Sequence, residues 1–167
     1  GVTESTRNNF MRYIKSKLIT LEDIIKKHDY ETGFSSVVPV YPFRVSPSYA
    51  ALIRMVGDAI WKQCIPDTKE LDDNDQCADP LSEQLLSPVP GLIHRYPDRV
   101  VLLVSNRCPV FCRFCMRKRH IGEGDAPPTP ASLEKMFQYI MANPTIRDVV
   151  LSGGDPLMLD DESIRYI

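Results

Sequence analysis

Two short aliphatic runs constrain the fold more than any other feature of this chain. VVLLV (Val100 to Val104) and DVVLS (Asp148 to Ser152) are continuous rather than alternating. That is the pattern of strands covered on both faces, as happens where helices flank a parallel sheet. Between them, Thr129 and Pro130 mark a helix start, and Leu133, Met136, Phe137, Ile140 and Met141 recur along one side before Asn143 and Pro144 end it. A further helix is expected from Asp160 or Asp161. Strand, loop, helix, strand, loop, helix is the start of an α/β protein with a parallel sheet, about two β/α units of it. The working loops of such folds leave the carboxyl ends of the strands, where neighbouring loops converge on one open face.

The chain before these runs has a different rhythm. Residues 8 to 28 read as a helical pair, with Phe10, Ile14 and Leu18, then Leu21, Ile24 and Ile25 at helical spacing, and Thr20 before Asp23 as a cap. The stretch from Phe34 carries three prolines and reads as a connection. Ser46 and Pro47 then open a helix whose stripe of Leu52, Val56, Ile60 and Cys64 runs to Pro66. From Asp67 to Pro90 the sequence is acidic and proline-containing, the composition of an exposed linker. The expected organisation is an N-terminal helical region over 1–66, a linker over 67–90 and a truncated β/α barrel over 91–167.

Composition leaves function to local motifs. The net charge of -2, with 25% charged and 43% hydrophobic residues, offers no bulk attraction to nucleic acid or to an anionic membrane. No apolar run approaches the about 20 residues that span a bilayer, and no charged-then-apolar leader opens the chain. A soluble, cytoplasmic protein with neither a nucleic-acid nor a membrane partner is the expectation. The apolar stripes of the N-terminal helices suit packing on the barrel and packing on a second copy equally, so a homo-oligomer is compatible with them.

Both unusual motifs occupy the strand ends. CPVFCRFCMRKR (Cys108 to Arg119) follows the first strand and places Cys108, Cys112 and Cys115 at C-x3-C-x2-C spacing, so one tight loop can direct three thiolates at one site. Five cysteines, an odd and unevenly spaced set, fit a reducing compartment better than a disulfide framework. Cys64 and Cys77 stand apart as packed or incidental thiols. Thiolates favour zinc or an iron–sulfur cluster. Structural zinc wants four protein ligands and would have to recruit His120 or Cys77, whereas three ligands suit a 4Fe–4S cluster with one iron open to a small molecule. Such a cluster is anionic, and Arg113, Arg117, Lys118 and Arg119 could offset its charge. After the second strand comes SGGDP, with Ser152, Gly153, Gly154 and Asp155.

CPVFCRFC and SGGDP, in this order after successive strands, resemble the radical S-adenosylmethionine pattern. The stretch SPVPGLIHRYPDRVVLLVSNRCPVFCRFCMRKR is similar to the lysine 2,3-aminomutase family, over roughly residues 42 to 167. The resemblance implies a radical S-adenosylmethionine partial β/α barrel. It implies Cys108, Cys112 and Cys115 as ligands of a 4Fe–4S cluster, and Phe114, Ser152, Gly153, Gly154 and Asp155 at the S-adenosyl-L-methionine site. It implies Arg95, Tyr96 and Arg99 at the phosphate of pyridoxal 5'-phosphate, and Arg117 pairing with the carboxylate of an amino acid substrate, L-lysine or similar. CMRKR departs here from the CTRRR-like text of many members at Met116 and Lys118, while Arg117 stays in place. The implied reaction is an isomerisation: a 5'-deoxyadenosyl radical is generated and an amino group moves from C2 to C3.

A whole barrel takes about 200 residues or more, and the chain begins at Gly1 and ends at Ile167 just inside a new helix. A piece of a longer enzyme, inactive alone as an aminomutase, is therefore expected, its pyridoxal phosphate lysine lying downstream. Two alternatives stay open: a related radical enzyme acting on another amino acid or supplying β-lysine for protein modification, and a non-enzymatic zinc-binding module.

Overall fold

A computed structural model describes residues 20–28, 34–72, 77–120 and 128–167. Two compact units cut across chain order: one comprises residues 1–78 and 108–121, the other 79–107 and 122–167.

In the first unit, α1 (Leu21–His28) starts at a reciprocal cap. The Thr20 hydroxyl oxygen accepts from the Asp23 backbone N–H at 3.2 Å, and the Asp23 carboxylate accepts from the Thr20 N–H at 3.0 Å. The first half of the expected helical pair, with Phe10, Ile14 and Leu18, lies outside the described residues. A short helix, α2 (Phe34–Val37), precedes an irregular stretch over 42–46. Ser46 caps α3 (Pro47–Ala50) as expected, but the helix stops there and α4 (Ala59–Cys64) starts anew. Asp58 accounts for the break: its carboxylate accepts from Trp61 N–H at 2.7 Å and from the Arg54 and Met55 amides at 2.8 and 3.2 Å, so the intervening turn competes with a continuous helix. Leu52, expected on the stripe, is 54% exposed, while Cys64 is fully buried with Val45, Ile53, Trp61 and Ile65.

The second unit is built on a three-stranded sheet in the order β1-β2-β3. A tight turn at Pro97 and Asp98 joins β1 (Leu92–Tyr96) to the antiparallel β2 (Arg99–Ser105), and β3 (Asp148–Gly153) lies parallel to β2. The crossover helix α5 (Pro130–Ala142) has the expected ends, Thr129 as cap and Asn143 after the last turn. Its Leu133 and Met136 close over Leu92, Val100, Leu102 and Val104, which are almost wholly buried. Burial of this apolar surface, at about 25 cal/mol per Å2, stabilises the unit. Met141, at the end of the expected stripe, is 73% exposed. Both expected strands form, but only β2 is well covered. Val149, Val150 and Leu151 of β3, one of the two edge strands of the described sheet, are 43%, 48% and 42% exposed, whereas Leu92 and Ile93 of the other edge strand are buried. The final helix α6 (Asp161–Tyr166) starts at Asp160, whose carboxylate accepts from Ser163 N–H. Among the described residues no helix is long and apolar enough to cross a membrane.

Candidate functional site

The carboxyl ends of β2 and β3 are stitched together within the second unit. β2 ends at the fully buried Ser105, whose hydroxyl accepts from Arg107 N–H at 3.1 Å. From the loop after β3, Gly154 N–H donates to the Ser105 carbonyl at 2.5 Å and Asp155 N–H to the Arg107 carbonyl at 2.6 Å. Glycine is required by this close approach. A Cβ on Gly153 (φ +114°) would lie 2.3 Å from the Ser105 oxygen, and one on Gly154 would lie 2.4 Å from the Arg107 oxygen. The Asp155 carboxylate accepts from Leu157 N–H at 2.9 Å and starts the short 3-10 turn Pro156–Met158. Ser152, just before the glycines, is half-buried.

The strand so fixed continues into the cysteine loop, which belongs to the first unit. Cys108, Cys112 and Cys115 are all half-buried and in no disulfide. The loop is hung on two backbone hydrogen bonds, Phe111 N–H to the Arg44 carbonyl and Arg113 N–H to the Gln63 carbonyl, both 2.8 Å. Phe111 is buried under the Arg44 guanidinium, 4.6 Å from the ring centre, and the Gln63 side chain accepts from the Tyr49 hydroxyl at 2.7 Å. Burial, then a charge on Cys115, pushes the Cys112 thiol up. Burial pushes Cys64 up to about 11, with the Cys112 charge adding to it. Its Sγ donates to the Ile60 carbonyl at 3.3 Å, the packed thiol expected there, and Cys77 is exposed.

Among the described residues no three His, Cys, Asp or Glu side chains already stand in an arrangement that could hold a metal ion. The loop nonetheless carries three soft sulfur donors, accessible on one short segment, with Cys64 committed elsewhere and both His120 and Cys77 exposed. That donor set fits an iron–sulfur cluster with three protein ligands better than a four-ligand zinc site. Phe114 is 68% exposed and Met116 51%, whereas Arg117 is half-buried.

The basic residues of the loop divide by what they touch. Glu70 takes Arg113 in a two-point contact, Nε to Oε1 at 3.0 Å and Nη2 to Oε2 at 2.7 Å, and Lys118 Nζ donates to the same Oε2. Burial pushes the Glu70 carboxyl up, but the hydrogen bonds from Arg113 and Lys118 outweigh it and hold the group below its ordinary range. Arg119 donates to the Ala78 carbonyl at 2.9 Å.

At the start of β2 the structure gathers Arg95, Tyr96 and Arg99. The two guanidinium carbons lie 6.0 and 5.9 Å from the Tyr96 ring centre. All three side chains are exposed. Arg95 donates to the Leu81 carbonyl at 3.1 Å, and Arg99 is held by Asp98 through contacts of 2.9 and 3.0 Å. Hydrogen bonding by Arg99 is the main reason the Asp98 carboxyl sits below the usual range. Arg99 pairs with Asp148, the first residue of β3, so this cluster lies at the opposite end of the sheet from Gly153. The separation is about 16 Å at about 3.3 Å per residue.

Glu70, Tyr49 and Gln63 escaped the sequence reading. Glu70 lies in the stretch taken as an exposed linker, yet its side chain is only 12% exposed. The available signal was the D-x-x-E spacing of Asp67 and Glu70, which forms a capping box over Thr68–Leu71.

A family model described as the Radical SAM superfamily matches residues 102–166. The L-lysine 2,3-aminomutase of Methanococcus maripaludis is 43% identical over 141 residues, 82% of this chain and 33% of that protein. The L-lysine 2,3-aminomutase of Clostridium subterminale is 37% identical over 99% of this chain and 42% of its own length. The glutamate 2,3-aminomutase of Clostridioides difficile is 36% identical over 91% of this chain and 35% of its own. The chain thus spans less than half the length of each of these relatives.

Proposed function

The chain belongs to the lysine 2,3-aminomutase family of radical SAM proteins, and from that premise we propose that its cysteine loop holds a 4Fe–4S cluster with one iron left for S-adenosyl-L-methionine. The observation that carries the reading is the stitching of the glycine loop after β3 to Ser105 and Arg107, the residues that lead directly into Cys108. When bound and reduced, the cluster and S-adenosylmethionine supply a carbon-centred radical.

The chain's own residues supply binding and orientation. Cys108, Cys112 and Cys115 are the ligands. Phe114 offers an exposed ring to the adenosyl group, and Ser152, Gly153, Gly154 and Asp155 shape the seat for the methionine amino group. Arg117 pairs with the substrate carboxylate through a charge-assisted, two-point contact. Arg95, Tyr96 and Arg99 fit the phosphate of pyridoxal 5'-phosphate in donor type, with the Asp98 carboxylate as the competitor such a phosphate displaces. The sheet with its βαβ crossover is then the opening of a partial β/α barrel, and the whole protein is an amino acid 2,3-aminomutase acting on L-lysine or a similar amino acid.

The test is dithionite-driven cleavage of S-adenosylmethionine by the anaerobically reconstituted chain. Formation of methionine and 5'-deoxyadenosine, lost in Cys112→Ser, is expected. A fully loaded cluster with no such cleavage would overturn the reading.

A further inference from the structure

We infer that Glu70 is a positioning residue for the cysteine loop: it holds the loop through Arg113 and Lys118 and offsets one of their two positive charges beside the sulfurs. Arg113 sits between Cys112 and Phe114, and Lys118 follows Cys115 by three residues, so the two cations bracket Cys115 and the first of them directly follows Cys112. Both reach back to one carboxylate. Arg113, Glu70 and Lys118 have side chains only 7%, 12% and 21% exposed, so this is a largely dehydrated three-charge contact rather than a surface pair. It is also anchored on both sides. Arg113 Nη1 donates to the Pro42 carbonyl at 2.9 Å, and the Lys118 ammonium lies 4.0 Å from the centre of the Tyr41 ring. Glu70 itself is fixed by accepting from Asp67 N–H at 2.9 Å in the capping box.

Two consequences follow from the physics. Removing one partner of a buried charge contact is costly because the others stay buried and unpaired, so loss of the carboxylate frees the segment carrying Cys112 and Cys115. Cluster potentials respond to nearby net charge, so the same loss leaves two uncompensated cations that favour the reduced, more anionic cluster. The second consequence rests on the cluster reading above; the first does not.

The experiment compares wild type, Glu70→Gln and Arg113→Lys, which keeps the charge but loses the fork. In the metal-free, reduced chain, per-cysteine alkylation is followed by mass spectrometry, with exposed Cys77 and buried Cys64 as internal references. Glu70→Gln and Arg113→Lys are expected to raise the rates at Cys112 and Cys115 by about tenfold or more while Cys64 stays protected. Wild-type rates at Cys112 and Cys115 in both variants would overturn the inference. Should Glu70→Gln unfold, seen as Cys64 reacting as well, the selective rise or its absence in Arg113→Lys decides. In the reconstituted chain, Glu70→Gln is expected to shift the cluster midpoint potential upward and Glu70→Asp to bring it back; an unchanged midpoint would overturn the charge-offsetting role. Failure to take up iron would instead count against the cluster reading, with the alkylation result still standing for the loop.

Discussion

Replacing Gly153 by Ala tests the stitching of the strand ends at its tightest point. The new methyl group would lie 2.3 Å from the Ser105 carbonyl oxygen and 3.3 Å from the Leu103 Cα, both backbone atoms of the central strand. Two costs add. A residue with a Cβ at φ +114° loses about 1 to 2 kcal/mol to its own backbone, and forcing a methyl group against fixed backbone costs about 1 to 3 kcal/mol more. The sum of about 2 to 5 kcal/mol is a large part of the about 5 to 15 kcal/mol that holds a typical domain. A chain of this size loses about 2 to 4 °C of Tm per kcal/mol. Gly57 is the control: it also has positive φ, +79°, but a Cβ there meets nothing within 4 Å, so Gly57→Ala carries only the first cost. The assay is urea unfolding followed by far-UV circular dichroism, with fluorescence of Trp61, the sole tryptophan, reporting the unit that contains Gly57. Gly153→Ala should lower the dichroism midpoint well beyond Gly57→Ala and leave the Trp61 midpoint nearer wild type. Equal dichroism midpoints for the two variants would refute the steric argument.

Three further outcomes follow from the same geometry. The Glu70 carboxyl is held below its ordinary value of 4.5, so its contribution is present above that pH and lost as pH falls through the lower folded value. Acid titration of Trp61 fluorescence should therefore be steeper below about pH 4.5 in wild type than in Glu70→Gln, and identical curves would contradict this. Cys64, its thiol pushed up to about 11 by burial, should escape disulfide-exchange labelling at pH 8 in the native chain while Cys77 reacts, as read by peptide mapping. Pyridoxal phosphate binding, followed by equilibrium dialysis, should weaken in Arg99→Ala and strengthen in Asp98→Asn, because Asp98 competes for the same guanidinium.

Helix α5 was legible almost residue for residue, because Thr129, Pro130 and Asn143 are strong local signals and the stripe between them is regular. The strands β2 and β3 were legible for the same reason, being unbroken aliphatic runs. The exposure of β3 was not, since covering an edge strand is a property of what packs on it rather than of its own residues. The break between α3 and α4 was missed because Asp58 binds amides on both sides of itself, a contact that apolar periodicity does not register. The antiparallel β1 hid inside a stretch attended to for its arginines. At the site, spacing alone singled out Cys108, Cys112 and Cys115; Gly153 and Gly154 were picked out by the family resemblance, and their tight approach to the central strand is visible only in the structure. Glu70 was invisible in that role, because a carboxylate in an acidic run gains its meaning only from the Arg113 and Lys118 side chains, more than forty positions away.

The most direct test of the cysteine loop is electron paramagnetic resonance of the anaerobically reconstituted, dithionite-reduced chain, recorded with and without S-adenosylmethionine beside metal analysis. The expected result is iron and sulfide in the ratio of a 4Fe–4S cluster, a reduced-cluster signal that changes when S-adenosylmethionine is added, and loss of both in Cys108→Ser, Cys112→Ser or Cys115→Ser. One equivalent of zinc without iron, or a cluster signal indifferent to S-adenosylmethionine, would contradict it.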